Sequence, residues 1–375
     1  MSDPKVPLPT LLSGGDDPGA VRIAGPGQLQ AGVAVMSPDL ASEPLGDYAL
    51  RHGLRPSAER PPVFTYLGEL WRRRHFILAF ATARNIAMYT EAKLGQIWQV
   101  LTPLLNAGVY FLIFGLLVPI NRGIPNYLAF LVTGVFVFNF TQRCFISTSS
   151  VVTESLPLIR ALQFPRAALP LAYVMIELEQ MALAMAVLVV IVLATGEPVT
   201  WYWLLVIPAL LLQTIFNIGI GLFAARLGAQ VNDFSQLLPF LMRTWLYLSG
   251  VLFSIQNLGL IKNSFLASHQ WVVPVLQVNP AAVYITLVRN AIMATERLSA
   301  PGSRPYDAAK CSVWQDAVRH GANLPASQQY DSAYCAASAH VTILHFWYFG
   351  IGWAALALVV GFFFFWRAET RYGRG

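Results

Sequence analysis

Basic and aromatic side chains alternate just ahead of the first long apolar run of the chain. Arg84 and Lys93 carry positive charge, and Tyr89 and Trp98 carry rings with one polar edge. A guanidinium can bind a pyrophosphate group through paired hydrogen bonds, and such rings lie favourably at a membrane surface. These positions could therefore capture an anionic molecule at a membrane, or they could only contact lipid headgroups, as basic residues beside membrane spans commonly do.

Four ionisable residues lie inside long apolar runs: Arg143, Glu177, Glu179 and Arg243. Charge inside a membrane is costly and is commonly functional. At a rise of about 1.5 Å per residue from the cytoplasmic ends of their runs, Arg143 and Arg243 lie about 9 Å deep and Glu177 about 12 Å. We predict a buried network of Arg143, Glu177 and Arg243. Glu179 is the weaker candidate because two residues' separation turns it away from Glu177.

Composition indicates the setting of these residues. The chain is 56% apolar and 12% charged, whereas soluble domains are about 25% charged. Lys and Arg do not cluster on a recognisable nucleic-acid-binding module, so we expect no nucleic-acid partner. The residues of interest must therefore be positioned by helices in a membrane.

Six apolar runs approach the roughly 20 residues that a helical span needs. They lie at 101–119, 127–150, 169–195, 201–225, 236–254 and 341–366. Basic residues precede the first run and follow the last, which predicts that both termini are cytoplasmic. The expected fold is an all-α, polytopic membrane protein with six transmembrane helices.

The remaining segments are assigned around these spans. We predict a disordered cytoplasmic tail, an amphipathic helix in the headgroup plane, short re-entrant gate helices in the outer leaflet and an extracellular cap insert. The domains are the tail at 1–62, the interface segment at 63–98, helices one to five at 99–254, the gate helices at 255–295, the cap at 296–340, helix six at 341–366 and a cytoplasmic tail at 367–375.

Two of the three cysteines, Cys311 and Cys335, fall in the predicted cap. Outside the cytoplasm the reducing thiol pool cannot act on them, so a disulfide between them is favoured over two free thiols. Gly219 and Gly221 lie within an apolar run and predict close helix packing, since they do not form a phosphate-binding loop.

The order of several residues resembles a transport family. Glu69-Leu70-Trp71, Arg84, Tyr89, Leu94-Gly95, Trp98 and Pro103 follow the pattern at the entry of ABC-2 type polysaccharide export permeases. Residues 158–170, L-I-R-A-L-Q-F-P-R-A-A-L-P, resemble the cytoplasmic connection that docks on the ATPase subunit, and Asn279-Pro280 before Arg289 extends the likeness. It covers residues 64–295 and the final helix.

The resemblance implies half of an export pathway. Family members act as a homodimer of permeases with two copies of a separate ABC ATPase, which binds ATP and Mg, so no cofactor is expected in this chain. The implied substrate-entry residues are Arg84, Tyr89, Lys93, Leu94, Gly95 and Trp98, and the implied ATPase-coupling residues are Leu158, Ile159, Arg160, Phe164, Pro165 and Arg166.

The implied substrate is a lipid-linked polysaccharide that crosses the plasma (inner) membrane for cell-wall assembly. The basic-aromatic start and alanine-rich helices look most like actinobacterial permeases for galactan carried on polyprenyl pyrophosphate. The long tail and the insert at 296–340 exceed the family's usual form, so no role is transferred to them.

Aromatic residues are candidates for a sugar-conducting surface because flat rings pack against the C–H faces of sugars. They lie in spans one, two and five: Tyr110, Phe111, Phe114, Phe136, Phe138, Phe140, Trp245 and Tyr247. Taken singly, an aromatic ring in a membrane span more often faces lipid or packs between helices.

The alternatives are an integral-membrane glycan transferase or polymerase acting on a lipid-linked glycan, and a passive scaffold for such enzymes. The sequence contains no H-E-x-x-H, G-x-S-x-G or D-x-D element, which disfavours an enzyme. Its histidines lack metal-ligand spacing, so no metal site is expected. No G-x-x-x-x-G-K-[ST] element is present either, so ATP hydrolysis requires another chain.

Overall fold

The computed structural model describes eight stretches of the chain, all within a single compact unit, Arg60–Gly375. They are 62–90, 93–95, 97–113, 126–161, 164–231, 233–255, 271–293 and 343–369. Every regular element in them is helical. The α-helices of these stretches are α1 (Val63–Arg72), α2 (Arg74–Thr90), α3 (Ile97–Phe111), α4 (Tyr127–Glu154), α5 (Leu156–Ala161), α6 (Ala168–Ala194), α7 (Val206–Gln230), α8 (Phe234–Leu248), α9 (Val272–Val278), α10 (Pro280–Ile292) and α11 (Ile343–Arg367).

Four helices of the described chain are long and apolar enough to cross a membrane. They are α4, α6, α11, and α7 together with the 3₁₀ turn Trp201–Leu205 that leads into it. Even α11, with 25 residues, extends about 37 Å, against the roughly 30 Å of a bilayer's hydrocarbon core. Predicted spans two, three, four and six are confirmed as helices of spanning length.

Neither of the other two predicted spans reaches that length within the described residues. Helix α3 is described as far as Ile113, and the rest of its apolar run lies outside the described residues. Helix α8 has 15 residues and extends only about 22 Å. The described residues therefore contain four helices that are able to cross a membrane, fewer than the six predicted.

The predicted span at 236–254 is interrupted where α8 ends. Gly250 has φ 71°, a left-handed conformation that stops a helix. The guanidinium of Arg289 on α10 donates to the carbonyl oxygens of Gly250 and Val251, both at 2.9 Å, and to that of Phe130 at 3.1 Å. The broken end is tolerated because its carbonyl groups have buried donors.

Within the predicted interface segment at 63–98, the structure describes α1, α2, a turn at 93–95 and the start of α3. The chain bends at Arg73, which separates α1 from α2. Helix α1 exposes Phe64 and Trp71, which are 88% and 70% accessible, and buries Tyr66. Exposed apolar rings opposite a packed tyrosine suit a helix lying along an apolar boundary.

The predicted gate segment at 255–295 contains α9 and α10, while its residues 256–270 and 294–295 lie outside the described residues. Asn279 separates α9 from α10, and its side chain accepts from the backbone N–H of Ala281. Pro280 occupies the first turn of α10, a position where its missing N–H costs nothing. Helix α10 is almost entirely buried and packs on α4, α7 and α11.

Close backbone contact joins α7 to α11. A Cβ atom at Gly361 would collide with the backbone of Gly219, and one at Gly219 would collide with the backbone of Ala357. Beyond this contact, the Phe223 and Phe364 rings stack with centroids 4.8 Å apart, and Arg226 donates to the Phe364 carbonyl. The glycines let the two helices approach backbone to backbone, as small residues do at membrane helix interfaces.

Replacing Gly361 with alanine should therefore destabilise the protein by about 1–3 kcal/mol, because the added methyl group meets backbone atoms that cannot move aside easily. The measurement is thermal unfolding of the detergent-purified protein. Gly352→Ala on the same helix is the matched control, since a Cβ there meets nothing within 4 Å. Equal melting temperatures for the two variants would contradict the packing assigned to Gly361.

Candidate functional site

A partly open cavity lies between α3, α4 and α6. Its polar and aromatic lining includes Asn106, Phe136, Asn139, Phe140, Arg143, Glu177 and Gln180. Helix α4 contributes residues spaced three or four apart, which places them on one face of the helix. Two predicted sets thus meet here: part of the charge network and part of the aromatic surface.

The polar groups of the cavity are only partly paired. Arg143 Nη1 donates to Gln180 Oε1 at 2.8 Å. Glu177 lies in the field of Arg143 and near the Ser147 side chain, and its Oε2 is buried with no hydrogen-bond partner among the residues that the structure describes. A buried, unpaired carboxylate oxygen is costly, so this cavity can accept a hydroxyl, an amide or water that donates to it.

The structure places one member of the predicted charge network apart from the other two. Arg143 and Glu177 share the cavity, whereas Arg243 is exposed on α8 and does not line it. Glu179 faces α2 and accepts from Thr82 Oγ1 at 3.1 Å and Asn85 Nδ2 at 2.8 Å.

Sequence reasoning missed several polar members of this region. Gln180 follows Glu177 by three residues, so helical spacing could have placed it on the same face. The contact of Asn85 with Glu179 carried no such signal because 94 residues separate the two.

The predicted entry residues surround the α2–α3 connection. Arg84 is exposed, with its guanidinium 5.8 Å from the centre of the Tyr173 ring. Tyr89, at the end of α2, is partly buried. Burial raises the pKa of its hydroxyl above the ordinary value, while the charge of Arg143 opposes the rise and that of Glu177 adds to it. Tyr89 therefore links the entry segment electrostatically to the cavity.

The remaining entry residues form the turn into α3. Lys93 and Leu94 are exposed. Gly95 has φ 52°, a left-handed backbone conformation that favours glycine. The backbone N–H of Trp98 donates to the Gly95 carbonyl at 3.4 Å, and 37% of the Trp98 side chain is accessible. A cation and an indole are thus presented together at one end of α3.

The other predicted channel aromatics have separate surroundings. Trp245 packs edge-on against Phe138 at 6.0 Å and donates from Nε1 to Asn279 Oδ1 at 2.8 Å. Phe111 and Tyr247 are exposed. Phe114 and the side chain of Tyr110 lie outside the described residues, as do Cys311 and Cys335. The aromatic set does not form one continuous surface within the described part of this chain.

The predicted coupling residues cover the end of the bundle near α1 and α2. Ile159 and Pro165 are buried, Leu158 and Phe164 are partly buried, and Phe164 contacts Phe76 with ring centroids 5.6 Å apart. Arg160 is exposed, and Arg166 is bonded to Glu369 beyond α11. The segment therefore has a packed apolar side and an exposed basic residue. In the stretches that the structure describes, no three His, Cys, Asp or Glu residues are grouped to hold a metal ion.

Arg143→Gln should lower the free energy of unfolding by about 2 kcal/mol, because it removes the charge that compensates the Glu177 carboxylate. Adding Glu177→Gln should recover part of that loss, and a double-mutant cycle by detergent unfolding measures the coupling. Strictly additive effects would contradict the pairing. The same cycle with Arg243→Gln tests the third member of the predicted network.

Comparison with known proteins extends this description. Residues 76–292 match the ABC-2 type transporter family. The chain is 27% identical over 180 residues to the O-antigen export system permease protein RfbA of Klebsiella pneumoniae, which covers 48% of this chain and 69% of that protein. It is 24% identical over 190 residues to the O-antigen export system permease protein RfbA of Myxococcus xanthus, which covers 51% of this chain and 72% of that protein.

The match includes most of α2 and all of the helices from α3 to α10, and it spans more than half of the chain. It confirms the resemblance seen in the entry and coupling segments. Membership implies a membrane setting, an ATPase partner and a transport role in place of catalysis. The chain belongs to the ABC-2 type transporter family as one of its membrane subunits.

Proposed function

We propose that this protein is the permease subunit of an ABC transporter that exports a lipid-linked polysaccharide across the plasma membrane. The observation that carries the proposal is membership in the ABC-2 family, together with relatives that are named as O-antigen export permeases. The proposed assembly is a homodimer with two copies of an ABC ATPase, which supply the ATP and Mg sites.

The entry segment suits a substrate with an anionic, lipid-linked head. Arg84, Lys93 and Trp98 are all exposed. A pyrophosphate at the headgroup plane would meet cations there, and its polyprenyl chain would meet apolar rings and lipid. Tyr89 lies between Arg84 and Lys93 in the sequence, and the charges of Arg143 and Glu177 in the polar cavity act on its hydroxyl.

The cavity suits the first sugars of such a substrate. Phe136 and Phe140 offer apolar faces, while Arg143, Glu177 and Gln180 offer donors and acceptors. Sugars present both surfaces at once, with C–H groups on their faces and hydroxyls at their edges. We infer that the glycan passes close to this lining as it leaves the headgroup plane.

The proposed topology follows the distribution of basic residues. Both termini lie in the cytoplasm, and α3 and α8, extended by neighbouring segments, complete six spans. Helices α9 and α10 contribute to an outer gate, and residues 296–340, with a Cys311–Cys335 disulfide, form an external cap. Galactan on polyprenyl pyrophosphate is the proposed substrate, on the likeness of the basic-aromatic start to actinobacterial galactan exporters.

The test is reconstitution of the permease with its copurified ATPase in liposomes that contain lipid-linked polysaccharide. ATP should be hydrolysed faster in the presence of that substrate, and the glycan should become accessible to a lectin on the opposite leaflet. Liposomes with the ATPase alone are the control. New glycosidic bonds formed without an ATPase would contradict the proposal and support a transferase, and lipid-linked O-antigen in place of galactan tests the glycan assignment.

Charge reversal at Arg160 should weaken ATPase binding about tenfold, because this exposed cation lies in the proposed coupling segment and its charge would steer and orient the partner surface. Binding is measured by titration of the detergent-purified permease with the ATPase. Arg367→Glu, an exposed cation at the end of α11, is the matched control. Equal losses in both variants would place the ATPase contact elsewhere.

A further inference from the structure

Three distant segments meet at one buried carboxylate. Glu369 follows α11, Tyr66 lies on α1, and Arg166 ends the coupling segment just before α6. Tyr66 is 1% accessible and Glu369 is 8% accessible. Up to 303 residues of sequence separate these partners, so the contact is a product of tertiary structure. We refer to Tyr66, Arg166, Ala167 and Glu369 as the clasp.

The hydrogen bonds of the clasp use each polar group of the tyrosine and the carboxylate. Tyr66 Oη donates to Glu369 Oε2 at 3.0 Å and accepts from the backbone N–H of Ala167 at 3.0 Å. The backbone N–H of Arg166 donates to Glu369 Oε1 at 3.0 Å, and the Arg166 guanidinium donates to the Glu369 carbonyl. The coupling segment is therefore tied to α1 and to α11 by its backbone as well as by a side chain.

The electrostatics make the clasp dependent on all its donors. Burial raises the pKa of the Glu369 carboxyl above its ordinary value, while the Arg166 amide, the Tyr66 hydroxyl and the Arg166 charge lower it. Losing a donor would leave a buried carboxylate with too few hydrogen-bond partners. The resulting loss of folding free energy exceeds the net contribution of one hydrogen bond. The carboxylate thus favours one arrangement of the three segments.

The segments that meet at the clasp are themselves packed tightly against neighbouring helices. Helix α11 lies backbone to backbone against α7 at Gly361 and Gly219. Phe164 of the coupling segment packs on Phe76 of α2, and α2 is joined to α6 through Asn85 and Glu179. A displacement of the coupling segment would consequently move α11 and α2 as well.

We propose that the clasp transmits the movement of the ATPase-coupling segment to the last membrane span, with Tyr66 and Glu369 as positioning residues for ATP-driven export. This inference rests on the proposed function, since it needs an ATPase seated on residues 158–166. Without the clasp the coupling segment would still bind the ATPase, but its movement would be lost before reaching α11.

The test compares Tyr66→Phe with Tyr348→Phe in the permease–ATPase complex in liposomes. Tyr348 is 63% accessible on α11, so both changes remove one hydroxyl, but only the first lies in the clasp. The readout is lipid-linked polysaccharide exported per ATP hydrolysed. Tyr66→Phe should lower this ratio about fivefold, the factor expected for one hydrogen bond of ordinary strength, and Tyr348→Phe should leave it unchanged.

A purely structural role for Tyr66 would reduce the amount of folded complex without changing export per ATP, and that result would overturn the proposal. Glu369→Gln should lower the ratio as well, and the double variant Tyr66→Phe/Glu369→Gln should be no worse than the more impaired single variant if the residues act as a unit. If the double variant instead lowers export per ATP by the product of the two single reductions, the proposal is also overturned.

Hydrogen exchange separates this inference from the proposed function. The Arg166 and Ala167 amides should exchange faster in Tyr66→Phe than in Tyr348→Phe, whether or not export occurs. Unchanged exchange would refute the clasp geometry. A wild-type complex that hydrolyses ATP without exporting polysaccharide would refute the proposed substrate, and ATP-induced changes in exchange along α11 that vanish in Tyr66→Phe would still support transmission.

Discussion

The backbone contact between α7 and α11 is the constraint on which the rest of the arrangement depends. Glycines at 219 and 361 leave no side chain between the helices, so α11 lies deeper in the bundle than bulkier residues would permit. Its C-terminal end is thereby brought to the side where α1 and the coupling segment pack. Glu369 can reach Tyr66 and Arg166 only because the helix that carries it is held so closely.

A second constraint is that polar groups away from water must find partners within the protein. Arg289 meets it for the end of α8 by donating to the Gly250 and Val251 carbonyls, and it also donates to the Phe130 carbonyl of α4. Arg289 thereby lets α8 stop inside the structure with donors for the Gly250 and Val251 carbonyls.

Glu177 is the contrasting case, because part of its carboxylate has no partner in the described part of the chain. Its neighbour by two residues, Glu179, is fully engaged with α2. One carboxylate therefore fastens the interface helix to the bundle, while the other is left facing a cavity beside the entry segment. This division connects the surface where a lipid-linked molecule would arrive with the first polar space inside the membrane-spanning helices.

The sequence by itself determined the membrane setting, four of the spanning helices and the family, because apolar length and the order of entry and coupling residues are local properties of the chain. Helix-packing glycines were also recognisable, since Gly219 stands inside an apolar run. Only the tertiary structure decided that α8 stops at Leu248, that Arg143 approaches Glu177 while Arg243 is exposed, and that Glu369 meets Tyr66. Those outcomes depend on how each helix is rotated and on partners as far as 303 residues apart, and neither hydrophobicity nor local spacing encodes such distances.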